Sequence, residues 1–269
     1  MTIEEMKLRK KVLGLTNEQL AELSGVPLST VQKVLGGTTA SPRYDTLMAL
    51  EKALKPASDH CVAESTAYYG MASAAEDIAP DGTFNGKHPG EFTIDDYMLL
   101  PDEHRVELID GYFYDMASPV NVHQLITGSI YAFLHNWVKT HGGSCIPFVS
   151  PVDVHLDPDD KKTIVQPDVL VVCDRNKLTN HIVGAPDLVI EVLSPSSWRR
   201  DLNLKANKYE QAGVREFWAV SPKNQAVTVM NFEKNAITIY SFQSKIPVGI
   251  WDDCVLDFND IWEDISFLY

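Results

Sequence analysis

Two acidic residues lie inside short apolar runs where a buried strand would normally carry no charge. Asp168 lies between Pro167 and Val169 in the run IVQPDVLVVC, and Glu191 lies in the run LVIEVL. Runs this rich in Val, Ile and Leu are typical of strands covered on both faces. An ionised carboxylate there is strongly unfavourable unless it is paired, protonated or bound to a cation. The nearest candidate cation is Lys205, early in the next predicted helix, and this combination favours a metal site.

These three side chains suit the hydrolysis of a phosphodiester. That reaction needs a nucleophilic water, relief of the phosphate charge and stabilisation of the leaving oxygen, all of which one or two Mg²⁺ ions can supply. Mg²⁺ keeps several waters and takes one or two carboxylates, so two acids are enough. A lysine near the metal can hold the attacking water or meet the developing charge.

Each of the three residues also has a structural alternative. Asp168 could cap a turn, Glu191 could form an ion pair with a buried base, and Lys205 could lie on a solvated helix face. Among their neighbours, strand alternation puts Gln166 on the same face as Asp168, which allows a role in orienting water. Tyr209 is more typical of packing than of chemistry.

The surrounding pattern predicts the elements that must position these residues. It combines one clear helix over residues 121–139, whose apolar residues form a stripe, with short strands, two hairpins and a second helix over about 199–212. Asp110 and Gly111 are typical of the tight turn of the first hairpin, and Gly213 ends the second helix. We therefore expect an α/β or α+β arrangement on one mixed sheet.

Residues 1–57 have a different, wholly helical pattern. Thr16 and Gln19 predict a capping box for one helix, which Gly25 ends. A second short helix follows, with Ser29 as a possible cap, and a third begins near Tyr44. The residues expected in a shared core are Leu15, Leu20, Ala21, Leu23, Val26, Val31, Val34 and Leu35.

Composition divides the chain into three parts. Residues 58–90 are rich in Ala, Ser, Gly and Asp and are predicted to be a linker, part of which packs on a neighbour. The expected domains are residues 1–57 and 91–269. The first 57 residues hold eight Lys and Arg against six Asp and Glu, a charge of +2. The remainder holds fifteen against thirty-one, a charge of −16, which counts against DNA binding by the second domain alone.

Composition also bears on location and redox chemistry. The chain has no apolar run near the roughly 20 residues that a membrane helix needs, and its first residues, MTIEEMKLRKK, do not have the pattern of a signal peptide. We therefore expect a cytoplasmic protein with no membrane contact. The four cysteines, Cys61, Cys145, Cys173 and Cys254, form no CxxC pair, so free buried thiols are expected rather than zinc ligands or disulfides.

The stretches LTNEQLAELSGVPLSTVQKVLGG and TLMALEKAL resemble the helix-turn-helix domains of the lambda-repressor/Cro type. The resemblance implies that residues 27–35 form a recognition helix in the major groove of DNA. Ser29, Thr30, Gln32 and Lys33 would then contact DNA, with Gln32 suited to adenine. The alternative is a helical interaction module that never touches DNA, which the weak charge and the lack of arginine in this helix favour.

The blocks VELIDGYFYDMASPVNVH, VQPDVLVV, GAPDLVIEVLSPSS, DLNLKANKY and AGVREFWAVSP resemble a restriction-endonuclease family of the Uma-two type, within the PD-(D/E)XK nuclease superfamily. The resemblance implies a restriction-endonuclease-like α/β domain, with a central mixed sheet flanked by helices, and DNA cleavage dependent on Mg²⁺, with Mn²⁺ as an alternative. The usual lysine two places after the second acid is replaced by Leu193. Lys205, in the pattern D-x3-K-x3-Y, matches the relocated lysine of this family.

The same resemblance assigns the remaining site residues. The expected metal ligands are Glu107, Asp168, Glu191 and the backbone carbonyl of Val192. The expected catalytic residues are Asp168, Glu191, Lys205, Glu107 and His123, the last being a recurrent histidine without a defined role.

Three functions are compatible with these residues. The favoured one is a metal-dependent endodeoxyribonuclease that the helix-turn-helix targets to DNA, with DNA and a second copy of the chain as the expected partners. The second is a DNA-binding regulator whose nuclease-like domain is inactive and serves dimerisation or sensing. The third and weakest is hydrolysis of another phosphoester.

Overall fold

The structure is a computed structural model that describes residues 3–12, 15–37, 42, 44–54, 82–101, 104–116, 118–194, 198 and 200–269. The described residues fall into two compact units, which are treated separately. The first contains the helices before residue 55, and the second contains nearly all of the described residues from 82 onward. The predicted linker lies mostly outside the described residues.

The first unit is a small helical bundle. Its helices are α1 (Ile3–Val12), α2 (Asn17–Ser24), α3 (Leu28–Leu35) and α4 (Tyr44–Leu54). Thr16 and Gln19 form the predicted capping box of α2, and Gly25 ends it in a left-handed conformation.

Two details of the first unit were predicted wrongly. Pro27, not Ser29, precedes the first residue of α3, and no side chain caps that helix. Most of the predicted core is buried, but Leu23 is 37% exposed. Leu23 is therefore on the outer side of α2, whereas Leu20 of the same helix is fully buried.

The second unit is built on a six-stranded mixed sheet, as the sequence predicted. The strand order is β10-β9-β8-β7-β5-β3, with β7 and β8 parallel and every other neighbouring pair antiparallel. The strands of this sheet are β3 (Ile146–Val149), β5 (Val169–Val172), β7 (Leu188–Val192), β8 (Glu216–Ser221), β9 (Ala226–Asn231) and β10 (Ala236–Ser241).

Smaller paired strands surround this sheet. They are the hairpin of β1 (Val106–Ile109) and β2 (Tyr112–Asp115), the parallel pair of β4 (Val154–His155) and β6 (Ile182–Val183), and the antiparallel pair of β11 (Lys245–Pro247) and β12 (Val255–Asp257). The β1–β2 turn has positive φ at both Asp110 and Gly111, which is the primed turn expected from the sequence.

Among the described residues, four α-helices accompany the strands of this unit. They are α5 (Ile94–Tyr97), α6 (Asn121–His141), α7 (Ala206–Ala212) and α8 (Phe258–Ile265). The apolar side of α6 and that of α8 share one core with alternate residues of the sheet, such as Ile190, Val192 and Trp218. The predicted helix over 199–212 is instead a π-helical turn, Arg200–Lys205, that continues into α7.

A second, smaller core lies under the β1–β2 hairpin. Phe84, Phe92 and Phe113 pack there with Val106 and Leu108, and the rings of Phe92 and Phe113 are stacked with centroids 4.4 Å apart. Phe84 belongs to the predicted linker, so the last part of that segment packs on the second unit. This agrees with the expectation that part of the linker is ordered against a neighbour.

The cysteine expectation was wrong for one pair. Cys145 and Cys173 are joined by a disulfide, while Cys254 is free and buried. The register of β3 and β5 pairs Ile146 with Val172, which places the two flanking cysteines opposite each other. The two cysteines are 28 positions apart in the sequence, so no local pattern indicates that they are close in space. Cys61 lies outside the described residues.

No helix among the described residues is long and apolar enough to cross a membrane.

Candidate metal-dependent hydrolytic site

Glu191 lies on β7 and is 4% exposed. Its neighbours Ile190 and Val192 face the core shared with α6, so strand alternation directs Glu191 to the opposite face of the sheet. Its Oε1 atom lies 2.5 Å from Nζ of Lys205 and accepts a hydrogen bond of 2.6 Å from the hydroxyl of Tyr209. The strand therefore presents an acid to the residues that follow it in the chain.

Glu107 reaches the same place from β1. Its side chain is 1% exposed, and its Oε1 atom lies 2.7 Å from Nζ of Lys205. The backbone N–H of Gln166 donates to the same oxygen at 2.8 Å. Lys205, 2% exposed, therefore bridges Glu107 and Glu191 and brings together chain segments nearly 100 residues apart.

Asp168 lies immediately before β5 at the edge of this cluster. Its Oδ2 atom accepts a hydrogen bond of 2.8 Å from the backbone N–H of Val192 and lies 3.1 Å from Nε2 of His123 near the start of α6. The bond from Val192 ties Asp168 to the residue after Glu191. The structure thus brings together all five predicted catalytic residues, although Lys205 contacts Glu107 and Glu191 rather than Asp168.

Asp201 and Tyr209 complete the cluster, and the site reasoning from sequence gave neither of them a role. Asp201 is 4% exposed, with its Oδ1 atom 3.9 Å from Nζ of Lys205, and Tyr209 is fully buried. The pattern D-x3-K-x3-Y could have predicted that both residues lie beside Lys205, because residues four apart lie on one face of a helix. Gln166 contacts the cluster only through its backbone N–H, because its side-chain Nε2 donates to Tyr97 and Asp153 and its Oε1 atom is buried with no partner among the described residues. A role for Gln166 in orienting water stays a prediction.

The cluster holds more acidic than basic side chains. Glu107, Asp168, Glu191 and Asp201 face two cations, Lys205 and Arg200. Burial, together with the charges of the other acids, raises the pKa of Glu191 to about 8 against the lowering effect of Lys205.

The lysine and the tyrosine respond in the expected directions. Burial alone would lower the pKa of Lys205, but Glu107 and Glu191 raise it well above its usual range, so the ammonium stays charged. Burial and the Glu191 carboxylate raise the pKa of Tyr209, which keeps its hydroxyl as a hydrogen-bond donor.

The oxygen donors of this cluster fit a hard divalent cation. The hydrogen bonds and ion pairs of the described residues engage Oδ2 of Asp168 and Oε1 of Glu191, which leaves Oδ1 and Oε2 for another ligand. An excess of buried carboxylates is the environment that Mg²⁺ compensates, and Mg²⁺ needs only one or two of them. Within the described ranges, no three His, Cys, Asp or Glu side chains are grouped to hold a metal by themselves. A metal here would therefore depend on two carboxylates, with backbone oxygen and water as further ligands.

The predicted DNA-contacting residues lie on α3 in the first unit. Ser29, Gln32 and Lys33 are exposed, whereas Thr30 is partly buried. The buried side of the same helix carries Val31 and Val34. The outer side of α3 thus presents three of the four predicted polar side chains.

Comparison with known proteins places these two units in separate families. Residues 6–56 match a model described as "Helix-turn-helix", and residues 94–246, over half of the chain, match the Uma2 model, described as "Putative restriction endonuclease". No curated protein matches the chain.

A solved structure supports the fold of the second unit. A crystal structure titled as that of a putative nuclease belonging to DUF820, from Anabaena variabilis, aligns with a TM-score of 0.54 at 20% identity. The alignment covers 64% of this chain and 98% of the other. On the extent of the match to its second unit, the chain belongs to the Uma2 family of restriction-endonuclease-like proteins.

Proposed function

We propose that the protein is a metal-dependent endodeoxyribonuclease whose helix-turn-helix unit brings it to DNA. The observation that carries this proposal is the convergence of Glu107, Asp168, Glu191 and Lys205 from separate chain segments into one largely buried cluster. The family descriptions of both units support the same function.

Each residue has a role in this proposal. Asp168, Glu191 and the backbone carbonyl of Val192 would hold Mg²⁺ or Mn²⁺, and Glu107 would complete the negative shell. The bound ion would supply an activated water and offset the charge of the phosphate. His123 orients Asp168, as Tyr209 orients Glu191.

Lys205 positions the two glutamates, and one of its N–H donors is not directed to either of them. Two of its three ammonium N–H groups are directed to Glu107 and Glu191. The third can hold the attacking water or meet charge that develops on the phosphate.

Nicking of a supercoiled plasmid tests this function. Wild-type protein is expected to nick it with Mg²⁺ or Mn²⁺ and not with EDTA, and Glu191→Gln should reduce the rate at least about 100-fold, since it removes a charged ligand but keeps the shape. Lys177→Gln, in the short 3-10 helix Arg175–Lys177 outside the cluster, serves as the control. Absence of cleavage by the wild type across supercoiled, linear and single-stranded DNA would refute the proposal.

One observation favours the second candidate, a DNA-binding regulator with an inactive nuclease-like unit. Lys205 lies between Glu107 and Glu191 at hydrogen-bonding distance from both, as in a structural ion pair. If that pair is only structural, a divalent ion will neither bind at micromolar to millimolar concentration nor raise the melting temperature. Calorimetric titration with Mn²⁺ separates the two candidates, and free nucleotides as competitors would reveal hydrolysis of another phosphoester.

The helix-turn-helix unit is proposed to bind duplex DNA through Ser29, Thr30, Gln32 and Lys33 of α3. We further propose a homodimer, because a two-fold pair of recognition helices would match a two-fold DNA site. Light scattering of the full chain at several concentrations tests that assembly.

A further inference from the structure

Arg200 is the second cation of the acidic cluster, and sequence reasoning gave it no role there. Its Nε atom lies 3.8 Å from Oε2 of Glu107 and 3.9 Å from Oδ1 of Asp201. Its guanidinium carbon lies 5.4 Å from the centroid of the Tyr114 ring, within cation–π range. The side chain is thus held against the cluster by charge and by an aromatic face.

This arginine makes no hydrogen bond with the described residues. Its Nε atom is buried without a partner, and both carboxylates are too far for a hydrogen bond. A guanidinium has five N–H donors in a planar fork, and a buried donor without an acceptor is unfavourable. Among the described residues no acceptor satisfies it, which leaves the guanidinium available to a ligand.

Lys205 and Arg200 differ in their bonds to the carboxylates and in their exposure to solvent. Lys205 bonds two carboxylates directly, and its side chain is only 3% exposed. The Arg200 side chain keeps 20% of its surface exposed. Because Nε is the atom nearest the acids, the terminal nitrogens are left for a ligand that approaches from solvent. Arg200 is the cation of the cluster that an incoming anion can reach.

We propose that Arg200 binds the non-bridging oxygens of the phosphodiester that is to be cleaved. A phosphate presents paired oxygens that match the guanidinium fork, and its anionic charge needs a cation among four acids. The assignment rests on the proposed function for its role in cleavage, but binding of the phosphate can be tested without cleavage. Arg200 would then be a catalytic residue, since it touches the substrate.

The test uses a small anion that the helix-turn-helix unit does not recognise. Dimethyl phosphate is titrated into the full-length protein and followed by ³¹P NMR, with neutral trimethyl phosphate as the matched ligand. Wild-type protein should bind dimethyl phosphate alone, and Arg200→Ala should weaken that binding about tenfold or more, as expected for charge-assisted hydrogen bonds. Arg200→Lys, which keeps the charge and loses the fork, should fall between them. Arg175→Ala, at an exposed arginine of the 3-10 helix Arg175–Lys177, should match the wild type.

The outcomes are distinct for this assignment and for the proposed nuclease. Equal affinity of wild type and Arg200→Ala, with thermal melts that show both folded, would overturn the assignment, and so would the absence of binding to the wild type. Selective loss of binding in Arg200→Ala, from a wild type that never cleaves DNA, would support the phosphate site and refute the nuclease. In an active enzyme, Arg200→Ala should raise KM for bis(4-nitrophenyl) phosphate and lower kcat, whereas a purely structural arginine would leave this KM unchanged.

Discussion

At the scale of single residues, the stability of the site depends on one ammonium group. Lys205 is buried between Glu107 and Glu191 and keeps its charge because both acids raise its pKa above the level that burial alone would set. Removing one partner of such a buried group leaves the others uncompensated, which is more costly than losing the pair as a whole.

We therefore expect Lys205→Met to lower the free energy of unfolding by about 3–5 kcal/mol. Urea denaturation at pH 7 measures this change. Lys208→Met is the matched control on the same helix, because Lys208 pairs with the exposed carboxylate of Asp110 and should contribute less than about 1 kcal/mol. Equal losses for the two variants would contradict a special role for the buried ammonium.

The acids of the site were predictable and their partners were not. Asp168 and Glu191 are conspicuous because a charge within an apolar strand needs a reason. The hydrogen bond from Val192 to Asp168 and the unbonded Arg200 depend on the crossing of separate segments, which no local pattern encodes. Glu107 was identified only by resemblance, since an acid on a hairpin strand is ordinary.

At the scale of elements, the short helix α5 depends on its N-terminal cap. Asp96, 1% exposed, accepts hydrogen bonds from the backbone N–H and hydroxyl of Thr93, from Lys87 and from Asn85. Burial alone would raise the pKa of Asp96, but these donors outweigh it and lower the pKa well below its usual range. Because the folded-state pKa is depressed, the stabilisation is present above the unfolded pKa and is lost as pH falls through the folded one.

Asp96→Asn should therefore lower the free energy of unfolding by about 2 kcal/mol at pH 7. Below about pH 4, where the unfolded carboxyl takes up its proton, the difference between wild type and variant should shrink steadily. Urea titrations at pH 7, 5 and 3 measure this, with Asp95→Asn as the neighbouring control. A difference that stays constant down to pH 3 would show that charge is not the cause.

The connection between β11 and β12 depends on a glycine. Gly249 donates its N–H to Oε1 of Glu216, a buried acid that also accepts from Trp218 and Asn231. A Cβ atom at position 249 would collide with Oε2 of Glu216. The chain can approach this carboxylate closely only because the residue has no side chain.

Gly249→Ala should cost about 1–3 kcal/mol of stability, the range for forced overpacking. Gly128→Ala in α6 is the control, since a Cβ there meets no other atom within 4 Å and a helical alanine should gain up to about 1 kcal/mol. Thermal unfolding of the two variants beside the wild type measures the loss of stability expected for Gly249→Ala and the gain expected for Gly128→Ala. A neutral Gly249→Ala would mean that Glu216 moves freely.

Element prediction succeeded where the pattern was local. The helix over 121–139 was placed within two residues of its observed end, and the first hairpin was identified from its turn residues Asp110 and Gly111. The π-helical turn Arg200–Lys205 was missed, because its sequence has the composition of an ordinary helix. The Cys145–Cys173 pair was missed because it depends on strand register.

At the scale of the whole molecule, charge is distributed unevenly between the two parts of the chain. The net charge of the chain is −14; residues 1–57 carry +2 and the remaining residues carry −16. In the proposed nuclease, the acidic second unit would repel duplex DNA, so recruitment would have to come from the helix-turn-helix unit, and attachment to that unit would raise the local concentration of substrate. Recruitment and chemistry should therefore be separable by mutation.

Gln32→Ala combined with Lys33→Ala should lower plasmid nicking at limiting DNA at least about 30-fold, since each of the two lost contacts is worth about 1–3 kcal/mol. Hydrolysis of bis(4-nitrophenyl) phosphate, which needs no recruitment, should be unchanged. Raising KCl from 50 to 200 mM should likewise suppress nicking and spare the small diester, because only duplex binding releases counterions. Glu22→Gln, exposed on α2, controls for general effects on the helical unit. Parallel loss on both substrates would show that the two units are coupled through stability, and unchanged nicking would remove α3 from DNA recognition.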